Sequence, residues 1–120
     1  MAVADPLEHL GHRLGHAFRD RALVEQALTH SSFANEHPGT LDNGALGFLG
    51  DAVLGLVVGE HLWRAFPDEA EGVLTPMRAE LVSGANLCRW AVALDLGPAL
   101  KLGRGEEQTG GREKESLLAT

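Results

Sequence analysis

The stretch from Asn43 to Phe66, NGALGFLGDAVLGLVVGEHLWRAF, constrains the fold more than any other part of the chain. Wound as a helix it is apolar nearly all round, the pattern of a central helix enclosed by others. Pro67 breaks it. Two details disturb the pattern. Gly44, Gly47 and Gly50 crowd its first turns, and Asp51 places a carboxylate in the apolar run.

Flanking segments supply further helices. In DPLEHLGHRLG, Asp5 is a predicted N-cap and Pro6 the first helical residue. Leu7, Leu10 and Leu14 fall at helical spacing, and Gly15 is a stop. DRALVEQALTHSSF predicts a second helix capped by Asp20, with Leu23, Ala27 and Leu28 on one face. NEHPGTLDNG has the composition of a loop. LTPMRAELVSGANLCRWAVALDLG predicts one long helix with Thr75 as cap and Pro76 at its first position. Its apolar stripe is Leu81, Leu87, Trp90, Ala91 and Leu94, and Gly97 is a stop. GRGEEQTGGREKES is a polar, glycine-dense connector, and ESLLAT opens a last helix. No β-alternation, internal repeat or low-complexity tract interrupts this series. The expected fold class is all-α.

A chain of 120 residues with 44% apolar and 22% charged side chains suits one folded domain, residues 1–120. The formal net charge of −7 argues against simple non-specific nucleic-acid binding, which needs a basic surface. Any RNA contact has to be local or mediated by metal ions. The single cysteine, Cys88, excludes an internal disulfide, fits a reducing cytosol, and sits on an apolar helix as a core residue. The N-terminus shows no signal peptide, and no window holds about 18 uninterrupted apolar residues, so no membrane span is expected.

Four groups of residues are candidates for chemistry. Positions 44, 47 and 51 share a helix face, and acids there would converge on a hard cation such as Mg²⁺. Only Asp51 is acidic. An interior glycine costs roughly 1 kcal/mol relative to alanine, so Gly47 and Gly50 weaken the helix unless close packing requires them. The plainer reading of Asp51 is a carboxylate hydrogen-bonded to a neighbouring loop. Asp68, Glu69 and Glu71 precede a helix, where acids are favoured by the helix dipole without any metal or substrate role. Arg104, Arg112 and Lys114, among four glycines of LGRGEEQTGGREKES, could approach a phosphate backbone, although by composition this is a flexible connector without P-loop spacing. His9, His12 and His16 share helical spacing that could bind a metal, but surface histidines are the ordinary case.

Taken together, ALTHSSF, NGALGFLGDAVL, FPDEAEGVLTPMRAELVSGANL and LGRGEEQTGGREKESLLA resemble, in order and spacing, the catalytic domain of the ribonuclease III family, from about residue 7 onward. The resemblance implies an all-helical endonuclease domain that works as a homodimer and cleaves double-stranded RNA with Mg²⁺. In such a domain carboxylate-held metal activates water and stabilises the leaving oxygen. It implies that Asp51 is the active-site aspartate of the signature helix. It also implies that Glu71 lies near substrate and metal, and that Phe48, Leu49 and Ala52 meet a second copy. Arg104, Arg112 and Lys114 are the RNA-contact candidates.

The departures fall on the chemistry. Gly44 and Gly47 stand where the family has glutamates, the one at 47 being a metal ligand. Thr120 stands where an aspartate follows LLA, and the family's next glutamate lies beyond it. The family's closing helices and its double-stranded-RNA-binding domain are not expected within these residues. The resulting expectation is a cytoplasmic ribonuclease III-type domain for RNA processing, impaired or inactive as a nuclease. The alternatives are a non-catalytic module for dimerisation or structured-RNA binding, and an unrelated helical interaction domain.

Overall fold

The computed structural model describes residues 5–119, and they form eight helices joined by short turns. They are α1 (Pro6–Leu14), α2 (Arg21–Ala27), α3 (Ser31–Glu36), α4 (Gly44–Ala65), α5 (Glu71–Leu81), α6 (Gly84–Ala93), α7 (Arg104–Gln108) and α8 (Glu115–Leu118). Among the described residues there is no strand, only an isolated parallel bridge between Thr29 and Lys101. The class is all-α, as expected.

Local chemistry accounts for the first helix. Asp5 accepts the Leu7 N–H, Pro6 opens the helix, and Gly15 ends it at φ 65°, a left-handed conformation that glycine adopts without strain. Arg21 donates to the Asp5 carboxylate at 2.7 Å. That bond, followed by the Leu7 N–H, holds the Asp5 carboxyl below its ordinary carboxylate range. Asp20 caps α2 through the Leu23 N–H.

Two predicted helices are each divided. DRALVEQALTHSSF breaks at Leu28, Thr29 and His30, because that segment pairs with a distant one. The His30 N–H donates to the Lys101 carbonyl at 3.0 Å, and the Lys101 N–H to the Leu28 carbonyl at 2.9 Å. Thr29 is 2% exposed, and its hydroxyl donates to the Glu25 carbonyl. The long helix predicted from Thr75 instead starts at Glu71 and stops at Leu81. Pro76 therefore lies inside α5 and not at its first position. Ser83 restarts the chain by capping α6 through the Asn86 N–H, while the Asn86 amide donates to the Leu81 carbonyl at 2.7 Å. Gly97, expected as a stop, opens a 3-10 turn over Gly97–Ala99.

The predicted connector is folded too. It contains α7 and a 3-10 turn at Gly111–Glu113, with Lys114 bonded to Glu106 and Thr109. Gly111 is buried, and an added Cβ would come 2.8 Å from the Glu106 carbonyl oxygen, so no side chain fits there. α8 packs on α6 and buries Leu118.

α4 departs most from expectation. It packs on α5, yet only Val58 and Leu62 of its 22 residues are buried. Phe48 is 85% exposed, Leu56 70% and Trp63 67%, with Leu49, Val53 and Val57 also open. The apolar character that predicted a buried helix leaves an apolar surface on the chain by itself. By length and composition alone α4 would also reach across a membrane, with a mean hydropathy of 1.5 over its most apolar window. The uninterrupted-run criterion missed this because Gly and Asp51 break the run without lowering its average greatly. The radius of gyration, 16.2 Å, exceeds the roughly 14 Å of a compact chain this long.

Candidate functional site

A groove of about 610 Å³ lies where the first half of α4 meets α6 and the end of α8. Gly44, Gly47 and Asp51 all line it, which places the three same-face positions of the signature helix on one surface. Leu87, Trp90 and Leu118 form much of the opposite wall, and Ala119 reaches the same groove. Asp51 is the one acid among the described residues of its lining. It is exposed, and among the described residues no hydrogen bond or ion pair reaches its carboxylate. The reading of Asp51 as a carboxylate fastened to a neighbouring loop is therefore not what the structure shows.

The entrance to α4 explains how Gly44 is accommodated. Asn43 makes no side-chain cap, and the Gly44 N–H donates to Asp42 Oδ1 at 2.9 Å. A Cβ on Gly44 would lie 3.2 Å from that oxygen, so a side chain there requires Asp42 to give way slightly. Asp42 was missed because NEHPGTLDNG reads as a loop by composition. Its signal was available, since aspartate is an equally good cap.

Glu71 does not join this groove. As the first residue of α5 it lines a separate cavity of about 680 Å³ with Gly59, Trp63 and Arg78, beside the second half of α4. Asp51 and Glu71 are thus on different surfaces of a single chain. Among the described residues no three of the His, Cys, Asp and Glu side chains are grouped to hold a metal ion. That also answers the spacing of His9, His12 and His16. His9 bonds to Asp95 at 3.1 Å, while His12 and His16 line a separate cavity between α1 and α2. Thr120 lies outside the described residues.

The basic candidates separate as well. Arg104 is exposed at the start of α7, where its backbone N–H donates to the Glu36 carboxylate at 2.9 Å. Arg112 turns its guanidinium inward. One nitrogen donates to the carbonyls of Gly97 at 2.9 Å and Pro98 at 3.3 Å and to that of Leu100, and another donates to Glu107. Lys114 is held by Glu106 at 3.1 Å.

The structure defines an all-helical domain whose longest helix carries one exposed acid in a groove. The sequence profile of the Ribonuclease-III-like family matches residues 20–120, and the chain belongs to that family. It is 51% identical over 109 residues to Ribonuclease 3 of Desulforamulus reducens, covering 89% of this chain and 44% of that protein. It is 54% identical over 112 residues to Ribonuclease 3 of Heliobacterium modesticaldum, covering 92% and 48%. The chain therefore spans about half the length of the curated relatives it matches. The nuclease domain of ribonuclease III from Campylobacter jejuni superposes with a TM-score of 0.86 at 42% identity, covering 94% of this chain and 76% of that one. In that protein a region involved in dimer formation is structurally flexible.

Proposed function

We propose that this chain is a ribonuclease III nuclease domain that keeps the family's RNA-facing fold but hydrolyses double-stranded RNA poorly or not at all. One observation carries this reading: Gly44, Gly47 and Asp51 share a groove in which Asp51 is the sole acid among the described residues. Mg²⁺ takes a near-octahedral shell of oxygens, and orienting both attacking and leaving oxygens needs that shell partly fixed by protein. One exposed carboxylate among glycines, leucines and a tryptophan does not fit that requirement. Asp51 can orient a polar group at the mouth of the groove.

The same reading has the chain pair with a second copy across α4. The exposed Phe48 and Leu49, with Ala52 one turn on from Phe48, form the surface for it. Arg104 remains free to approach a phosphate, whereas Arg112 and Lys114 already have internal partners. A second reading, a dimerisation or RNA-binding module with no hydrolytic role, shares all of these features except a use for Asp51.

Incubating the purified chain with long double-stranded RNA, with and without Mg²⁺, tests the proposal. At most trace cleavage is expected. Short duplex products formed at the rate of an intact family member would overturn it. Retained RNA binding without products would favour the module. Gly47→Glu alone is expected not to restore cleavage, because Gly44 and Thr120 still lack carboxylates.

A further inference from the structure

The groove between α4 and α6 combines an apolar lining with a single negative charge. We propose that it binds a small organic monocation, a quaternary ammonium carried on an apolar body, and not a metal ion. This rests on the reading of Asp51 as a lone acid and extends it to a ligand. Its volume of about 610 Å³ falls within the roughly 300–1,000 Å³ of small-molecule sites. Leu54 of α4, Leu87 and Trp90 of α6 and Leu118 of α8 supply much of the lining. Trp90 is 37% exposed, so part of its ring is open to a ligand.

The charge of the groove has one sign. Among the described residues no Lys, Arg or His lines it, and Asp51 is its one ionised side chain. No hydrogen bond or ion pair among those residues reaches the Asp51 carboxylate, so a bound cation displaces no partner. The helix ends agree. α6 ends on the groove at Leu94, and a helix C-terminus carries partial negative charge. α4 starts there with its positive end, but the Asp42 carboxylate accepts the Gly44 N–H at 2.9 Å and offsets it.

These features select among cations. Mg²⁺ gives up its waters reluctantly and asks for oxygen ligands in their place, which leucine and tryptophan do not offer. A quaternary ammonium has no N–H, so apolar walls leave no donor unpaired when they replace water around it. Its charge is spread over methyl groups, the form of cation that aromatic faces hold. One carboxylate balances one such charge. A phosphate or carboxylate ligand is opposed by Asp51 and by the end of α6 alike.

The test titrates the full chain with benzyltrimethylammonium at constant ionic strength, followed by NMR of the backbone amides and the Trp90 indole N–H. The Gly47, Asp51 and Trp90 signals should move on one isotherm, with a dissociation constant of about 1–10 mM for so small a ligand. Phenylmethanesulfonate, with the same ring and the opposite charge, should bind about tenfold more weakly or not at all. Asp51→Asn keeps the shape, removes the charge and should weaken the cation about threefold, the scale of one exposed charge pair. Equal affinity for the two probes, or an unchanged affinity for the cation in Asp51→Asn, would overturn the proposal. The RNA cleavage assay decides the underlying reading separately. Trace cleavage with no benzyltrimethylammonium binding removes this proposal alone, whereas rapid Mg²⁺-dependent cleavage removes the reading beneath it.

Discussion

The guanidinium of Arg112 faces the protein's own backbone, gathering the carbonyls of Gly97, Pro98 and Leu100 around one nitrogen. Its residue type and glycine-rich setting suggest a phosphate contact, and both are compatible with the opposite role, since an arginine fork bonds carbonyls as readily as phosphates. Removing it leaves three carbonyls of the α6–α7 connection with fewer donors. Arg112→Ala should cost about 1–2 kcal/mol, the lower part of the range for hydrogen bonds to charged groups, because the side chain is partly exposed. For a domain this size that lowers the melting temperature by several degrees, measurable by circular dichroism. An unchanged melt with weakened RNA binding would instead make Arg112 a contact residue. Asp51 differs from Arg112. Its environment leaves the carboxylate open to solvent.

At the scale of elements, ends set by local chemistry were legible and ends set by distant contacts were not. Asp5, Asp20 and Gly15 act within one turn of themselves, so their spacing suffices to place the starts of α1 and α2 and the end of α1. The break between α2 and α3 depends on Lys101, more than 70 positions away, with His30 capping α3 through the Ser32 N–H. Ser83 did carry a readable signal, a cap residue ahead of Gly84, which the apolar stripe of α5 and α6 obscured. Gly103 tests the α3–α7 contact directly. Gly103→Ala forces a methyl against the Ser32 backbone and should destabilise the fold by about 1–3 kcal/mol, the usual cost of overpacking. Urea unfolding would measure it. A variant as stable as the parent would mean that the α3–α7 contact tolerates a methyl group at Gly103.

The whole molecule is elongated, 51 × 28 × 24 Å, with α4 carrying an apolar surface on its outside. Exposed apolar area of this extent on one chain marks an interaction surface or an aggregation hazard. Under the proposed pairing, two copies bury Phe48 and Leu49 against each other, an isologous contact in which one residue acts twice. Sedimentation at micromolar concentration should show a dimer. Phe48→Asp places a carboxylate in each half of the contact and should weaken association by roughly tenfold or more, since an unpaired charge resists burial. A monomeric parent chain, or a dimer indifferent to Phe48→Asp, would remove α4 as the pairing surface.

By itself the sequence determined the class, the order of the helices and the face on which Asp51 sits with Gly44 and Gly47. Those follow from spacing along one helix and from caps that act within a turn. Tertiary structure decided what covers what. It divided the helix predicted over DRALVEQALTHSSF through Lys101, remote in sequence, and it folded a polar connector around Arg112 and Gly111. It also separated Glu71 from Asp51 and left most of α4 open. Hydrophobic patterning reports that a surface must be covered, because apolar area is driven from water wherever it lies. It does not report what supplies the cover, and only the packed structure shows that the described residues leave Phe48, Leu56 and Trp63 exposed.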